Sequence, residues 1–360
     1  MKPPFKELHA DALGIFLWFL RKAWNPLTRF YWRGRLRETL HRFRHYRCDA
    51  MSFFMWLSDG KGEHVLLNGR TPYKKERGRF NLNRWNNKYW KVFGMFLEDC
   101  KTSDIRPIPS VLMDRYCYGP YHQNGLPFWS EEAAAHHEKL MDKTCQEMLK
   151  VFGPFYQPTI KPINEAIHGG NHELFHTIGD WFVQMWEAVL SGYTELEKFV
   201  VDVSHCEAPA GEFDMPKLCH ICFRPMGNTA YLDEHLKRRI LPEYHGFSIE
   251  QNLTDEKWKP FTGSGWGAGK FSEDCGGGKE AEGFVIGGFR FGTAKQNKTM
   301  LKRMQEEAGD KLAIWGIFPV DANYIKNGKW IEDYDPRSLA DSGAFYRMYK
   351  AREALVGLGK

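Results

Sequence analysis

Two hydrophobic periods alternate along this chain. Short apolar runs at 12–19, 50–57, 105–113, 199–203 and 312–318 have the length of buried strands. A further strand ends at Asn164-Glu165, and shorter ones are expected at 245–250 and 270–273. Between them lie stretches with apolar residues three and four apart, the spacing of one helix face. The clearest are 32–46 (Leu36, Leu40, Phe43), 87–101 (Tyr89, Val92, Phe93, Phe96, Leu97) and 131–152 (Leu140, Met141, Cys145, Met148, Phe152). Others are 172–190, 231–241, 293–308 and 344–356. Eight strands, each followed by a helix or irregular crossover, predict a single closed (β/α)8 TIM barrel over residues 1–360, with no linker dividing it.

The bulk numbers agree with a large core. Hydrophobic residues make up 42% of 360, and no apolar run is long enough to span a bilayer, so no membrane partner is expected. The apolar run at 12–19 lacks the flanks and cleavage site of a signal peptide, which predicts a cytoplasmic protein or one released without a conventional signal. Eight cysteines in 360 residues are too sparse for a disulfide framework and read as reduced thiols. The net charge of +5 is concentrated near the start, where residues 1–50 hold eleven Lys/Arg against four acids. The basic helix at 33–47 has an ordinary buried stripe, so a solvated outer face is preferred over a nucleic-acid surface. Aromatic residues, at 15%, suit either a ring-rich core or stacking on sugars.

In a parallel barrel the reactive groups sit at the C-terminal ends of the strands. Those positions hold Trp56, Asp114, Arg115, Tyr116, Asn164, Glu165, His205, Gln251, Glu273 and Trp315. Carboxyls, amides and rings together suit a neutral polyhydroxylated ligand better than a phosphate. Tyr118, Tyr121 and Trp129 crowd the same loop as Tyr116, as sugar platforms or as a hydrophobic plug. Cys219 and Cys222 have zinc-ligand spacing, with His205, Cys206 and His220 nearby, but a second cysteine pair is missing. The pair His136-His137 and the set His168, His172 and His176 read as ordinary helix residues rather than ligands.

Asn-Glu on the fourth strand, a Glu on the seventh and a Trp on the eighth resemble clan A glycoside hydrolases, in particular the cellulase-like family 5. The stretch 79–90 leading into the third strand resembles the corresponding passage of those enzymes. The resemblance implies a retaining hydrolase of β-linked glycans, endoglucanase- or mannanase-like, needing no cofactor or metal. Glu165 would be the acid/base and Glu273 the nucleophile, with Asn164 on the sugar 2-hydroxyl and Trp315, Arg115, Tyr116, Tyr118, Trp56 and Gln251 lining the substrate. The partner would be an oligo- or polysaccharide, and no nucleic acid. Two departures stand out: family members place an Arg at the end of the second strand, where this chain has Trp56-Leu57-Ser58. They also place a His or Tyr late in the sixth, where 245–250 offers Glu250. A catalytically inactive carbohydrate-binding barrel and an unrelated barrel enzyme are the alternatives.

Overall fold

A computed structural model describes residues 7–57 and 70–164 almost continuously. Beyond these it describes mainly the strands named below. Eight strands pair side by side, all parallel, and close into a barrel: β1 (Glu7–Asp11), β2 (Ala50–Phe54), β5 (Arg106–Met113), β6 (Thr159–Asn164), β7 (Lys198–Asp202), β8 (Ile240–Tyr244), β9 (Phe284–Ile286) and β10 (Leu312–Ile317), with β10 returning to β1. Two short antiparallel pairs stand apart, β3 (Tyr73–Glu76) with β4 (Arg79–Trp85), and β11 (Ile325–Lys326) with β12 (Lys329–Trp330).

Three of the expected strands are displaced. The run at 12–19 is mostly helix α1 (Ile15–Lys22), and the first strand is the preceding Glu7–Asp11. All of Ile15–Leu20 is buried, so every position is apolar and periodicity cannot separate a buried helix from a strand. The sixth strand is Ile240–Tyr244, not 245–250, and it takes the end of the expected helix at 231–241. Pro242 lies in its middle beside Val201. Proline donates no ladder hydrogen bond, so propensity argues against a strand there, and barrel closure overrides it. The seventh strand is Phe284–Ile286, not 270–273. Its three apolar residues are shorter than an ordinary strand signal, although Gly283 and Gly287 bracket them.

The helices flanking the first strands form as their stripes dictate. α2 is Arg29–His45 and α3 is Asn87–Thr102; α4 is the short Gly119–His122, and α5 is Glu131–Phe152. Asn86 caps α3, its side chain accepting from the Tyr89 N–H at 3.4 Å, and Ser130 caps α5 through the Ala133 N–H at 3.2 Å. Each cap satisfies one of the four amide groups a helix start leaves unpaired. α5 stops at Gly153, whose φ of 102° is open to glycine and strained for other residues. α1 lies across α3 and β2: the Phe16 ring meets Phe53, Phe93 and Phe96 at centroid distances of 5.8, 5.4 and 5.0 Å.

α2 is tied to α3 by charge. Asp99 is 1% exposed, and Arg33 reaches both its oxygens at 2.9 and 2.8 Å. Burial pushes the Asp99 carboxyl up from its ordinary range, while Arg33 pulls it down. Arg33→Ala is expected to cost roughly 1.5–3 kcal/mol, because it strands a buried carboxyl that needs charged partners. Chemical denaturation should show this loss, and adding Asp99→Asn to the same variant should recover part of it.

Candidate active site

The C-terminal strand ends converge at one mouth of the barrel. Asn164 is the last residue of β6 and pairs in register with Met113, the last of β5. In sequence Asp114 follows Met113 and Glu165 follows Asn164. Next around the barrel from β6, Asp202 ends β7 in register with Glu243, and Tyr244 ends β8 in register with Ile286 of β9. Trp315 lies within β10, paired with Leu8 of β1.

These positions revise the sequence reading. The sixth strand ends at Tyr244 and is followed by His245, so the expected His or Tyr has a place at that tip. Asp202 and Tyr244 escape the sequence pattern because it ends the fifth strand one residue late and the sixth six residues late. Glu273 does not end the seventh strand. It precedes β9, in the connection 245–283, and β9 itself runs into Gly287 and Gly288. Glu165, Glu273, Arg115, Tyr116, Tyr118 and Gln251 lie outside the described residues, as do His168, His172, His176, His205, Cys206, Cys219, His220 and Cys222; only the backbone of Asn164 and Trp315 is described.

The rim over β2 and β5 is described apart from residues 58–69, 114–116, 118 and 129. Trp56 is 1% exposed, and its indole N–H donates to the Val111 carbonyl at 2.9 Å. It lies edge-on to Tyr73. Trp56 is thus a packed wall, not the substrate-facing ring expected from its place after the strand. Its large ring is buried because the connection 55–86 folds back as the β3–β4 hairpin and covers it. That hairpin turns at Arg77 and Gly78, both with positive φ, as a tight two-residue turn requires.

The loop after β5 closes as a plug. The Tyr73 and Tyr121 hydroxyls lie 3.0 Å apart, the Tyr89 hydroxyl donates to the Met55 carbonyl at 2.8 Å, and Tyr121 meets Phe128 edge-on. Burial pushes all three phenols up, so they stay neutral and act as hydrogen-bonding spacers. His137 is buried beneath them, with Nε2 2.9 Å from the Phe128 carbonyl. Burial drives its pKa down to about 3, with the Phe128 contact opposing and His136 adding slightly. A neutral imidazole must carry its proton on Nε2 to donate there. His137 is therefore packing, His136 is part-exposed beside it, and among the described residues no group of three His, Cys, Asp or Glu could hold a metal. These buried phenols and the imidazole are scaffold.

A closed parallel barrel brings its C-terminal strand ends together at one mouth, the place where barrel enzymes hold their active sites. No protein-family model matches the sequence, and no curated protein does. Solved structures do match in fold. The endo-β-1,4-mannanase of Thermotoga petrophila superposes with a TM-score of 0.59 at 11% identity, over 98% of this chain and 77% of that one. The endo-1,4-β-mannanase of Rhizomucor miehei gives 0.53 at 11% identity, over 90% and 91%. A glycoside hydrolase family 5 mannosidase, also from Rhizomucor miehei, gives 0.52 at 9% identity, over 98% and 96%. The chain has the barrel fold of these family 5-type glycoside hydrolases.

Proposed function

We propose that the protein is a glycoside hydrolase acting on a β-linked glycan, with β-1,4-mannan the first substrate class to try. Helices in the later connections would complete the (β/α)8 architecture. One observation supports this reading above the others: β6 ends in Asn164, with Glu165 next, at the barrel mouth beside the end of β5. A carboxyl there can protonate the leaving oxygen of a glycan lying across the mouth, and an amide beside it can bind the 2-hydroxyl.

The second carboxyl would have to come from a connection rather than from β9. Glu273 is the proposed nucleophile. Phe284 lies eleven positions further on, and such a length of chain spans at most about 36–40 Å. That exceeds the roughly 17 Å rise of a five-residue strand, so the connection has the reach to bring Glu273 to the mouth. A retaining mechanism needs the two carboxyls about 5–5.5 Å apart. The glycines after β9 favour a second reading, a barrel that binds glycan without turnover.

Wild type and Glu273→Gln should be compared on aryl β-mannosides, aryl β-glucosides, mannan and cellulose, with oligosaccharide binding measured by calorimetry. The hydrolase reading expects turnover in wild type and its loss in Glu273→Gln, with binding kept in both. Binding without turnover in either supports the second reading. Neither binding nor turnover on any glycan overturns both.

A further inference from the structure

A second polar pocket, of about 440 Å³, opens between the β3–β4 hairpin and the loop after α4. Its size falls in the range of small-molecule sites, about 300–1,000 Å³. Both walls belong to connections that leave C-terminal strand ends: residues 55–86 follow β2, and 114–130 follow β5. The pocket therefore lies on the same side of the barrel as Asn164, the end of β6.

The walls are fastened to one another, so the shape is preorganised. The Asn124 side-chain NH₂ donates to the Phe80 carbonyl at 2.8 Å and to the Pro120 carbonyl at 2.7 Å. Gln123 accepts from the Phe80 N–H at 3.4 Å. The one acid of the lining, Glu76, is engaged within the hairpin by Arg84 at 2.6 Å, Lys74 at 3.0 Å and the Asn81 amide at 3.0 Å. These contacts hold its carboxyl ionised, below the usual range.

What remains open is a set of neutral-ligand contacts. Asn83 and Arg79 are exposed, and their side chains have no partner among the described residues. Asn124 spends both amide hydrogens on the walls, which leaves its oxygen as an acceptor. Leu126 adds an apolar side. Donors from Arg79 and Asn83, acceptors from Asn83 and Asn124 and one apolar surface match vicinal hydroxyls on a sugar ring with its C–H face.

We propose that this pocket is a remote saccharide subsite, which holds a neutral hexose unit of a glycan whose other units lie at the barrel mouth. It rests on the reading of the barrel as glycan-acting, and it specifies long chains over short ones.

The test is length dependence. Affinities for β-1,4-mannobiose through mannohexaose are measured for wild type and for Arg79→Ala/Asn83→Ala, both exposed positions whose side chains carry no fold contact. The expected result is about a 10-fold loss for the hexaose and no change for the biose. Equal affinities in the two proteins at every length, or an equal loss at every length, would overturn the subsite while leaving the barrel reading intact. Should wild type bind no member of the series, the mannan reading fails, and the pocket is then probed alone. Hydrogen exchange of the peptides covering 76–86 and 119–130 is followed with mannose, glucose and galactose at high concentration. Protection confined to those peptides in wild type and absent from the double variant supports a saccharide pocket. No protection overturns it.

Discussion

Glu165→Ala is expected to slow hydrolysis of glycans with poor leaving groups by roughly 100- to 10,000-fold, the usual contribution of a positioned proton donor. The loss should shrink with an activated aryl glycoside, whose phenolate departs with little protonation. On that substrate the glycosyl-enzyme intermediate still forms, and added azide should capture it as a product of retained configuration. Glu273→Ala should behave differently: with no attacking carboxyl no intermediate forms, and azide can give only an inverted product. Circular dichroism on both variants should be unchanged, since each substitution removes a carboxyl and no apolar side chain. Wild-type rates in both would make the two glutamates bystanders. Loss in Glu165→Ala alone would leave the proton donor in place and send the search for the second carboxyl to Asp202 and Glu243, which end β7 and nearly end β8.

Acidification should weaken the fold through His137. The sign follows from its proton uptake: the folded chain resists protonation down to about pH 3, while an unfolded histidine accepts a proton near 6.5. Between those values the unfolded state binds more protons, so stability rises with pH across that window and is fully present above it. The slope from this one group is at most about 1.4 kcal/mol per pH unit. His137→Gln keeps an N–H donor for the Phe128 carbonyl but cannot titrate. Its denaturation midpoint should therefore fall less steeply than that of wild type between pH 6.5 and about 4. Parallel pH profiles would show that the imidazole is hydrated in solution and that the plug over β5 opens readily. Asp99 does not produce the same signature, because burial raises its carboxyl and its protonation favours the folded state.

How much of this was legible in the sequence varies with the strength of the local pattern. α5 occupies Glu131–Phe152 as its apolar spacing and Ser130 cap foretell, and α3 runs Asn87–Thr102 from an Asn cap. β2, β5, β7 and β10 fall within a few residues of their apolar runs. The β3–β4 hairpin was passed over as a polar loop, although Phe80 and Leu82 alternate with polar neighbours and Arg77-Gly78 marks the turn. Trp56 was read by its place after a strand, and only the hairpin folding over it reveals that it is enclosed.

By itself the sequence determined the alternation of strand and helix from β2 through α5, the eight-strand count and the end of the fourth strand at Asn164, because these rest on periodicity within a dozen residues. Tertiary structure alone decided which segments supply the first, sixth and seventh strands. Glu7–Asp11, Ile240–Tyr244 and Phe284–Ile286 are too short, too polar or too proline-bearing to form strands unaided. Their backbone groups are satisfied only by parallel neighbours contributed from distant parts of the chain, and closing the barrel supplies those neighbours. That closure moved the seventh strand past Glu273 and put Tyr244 at the mouth.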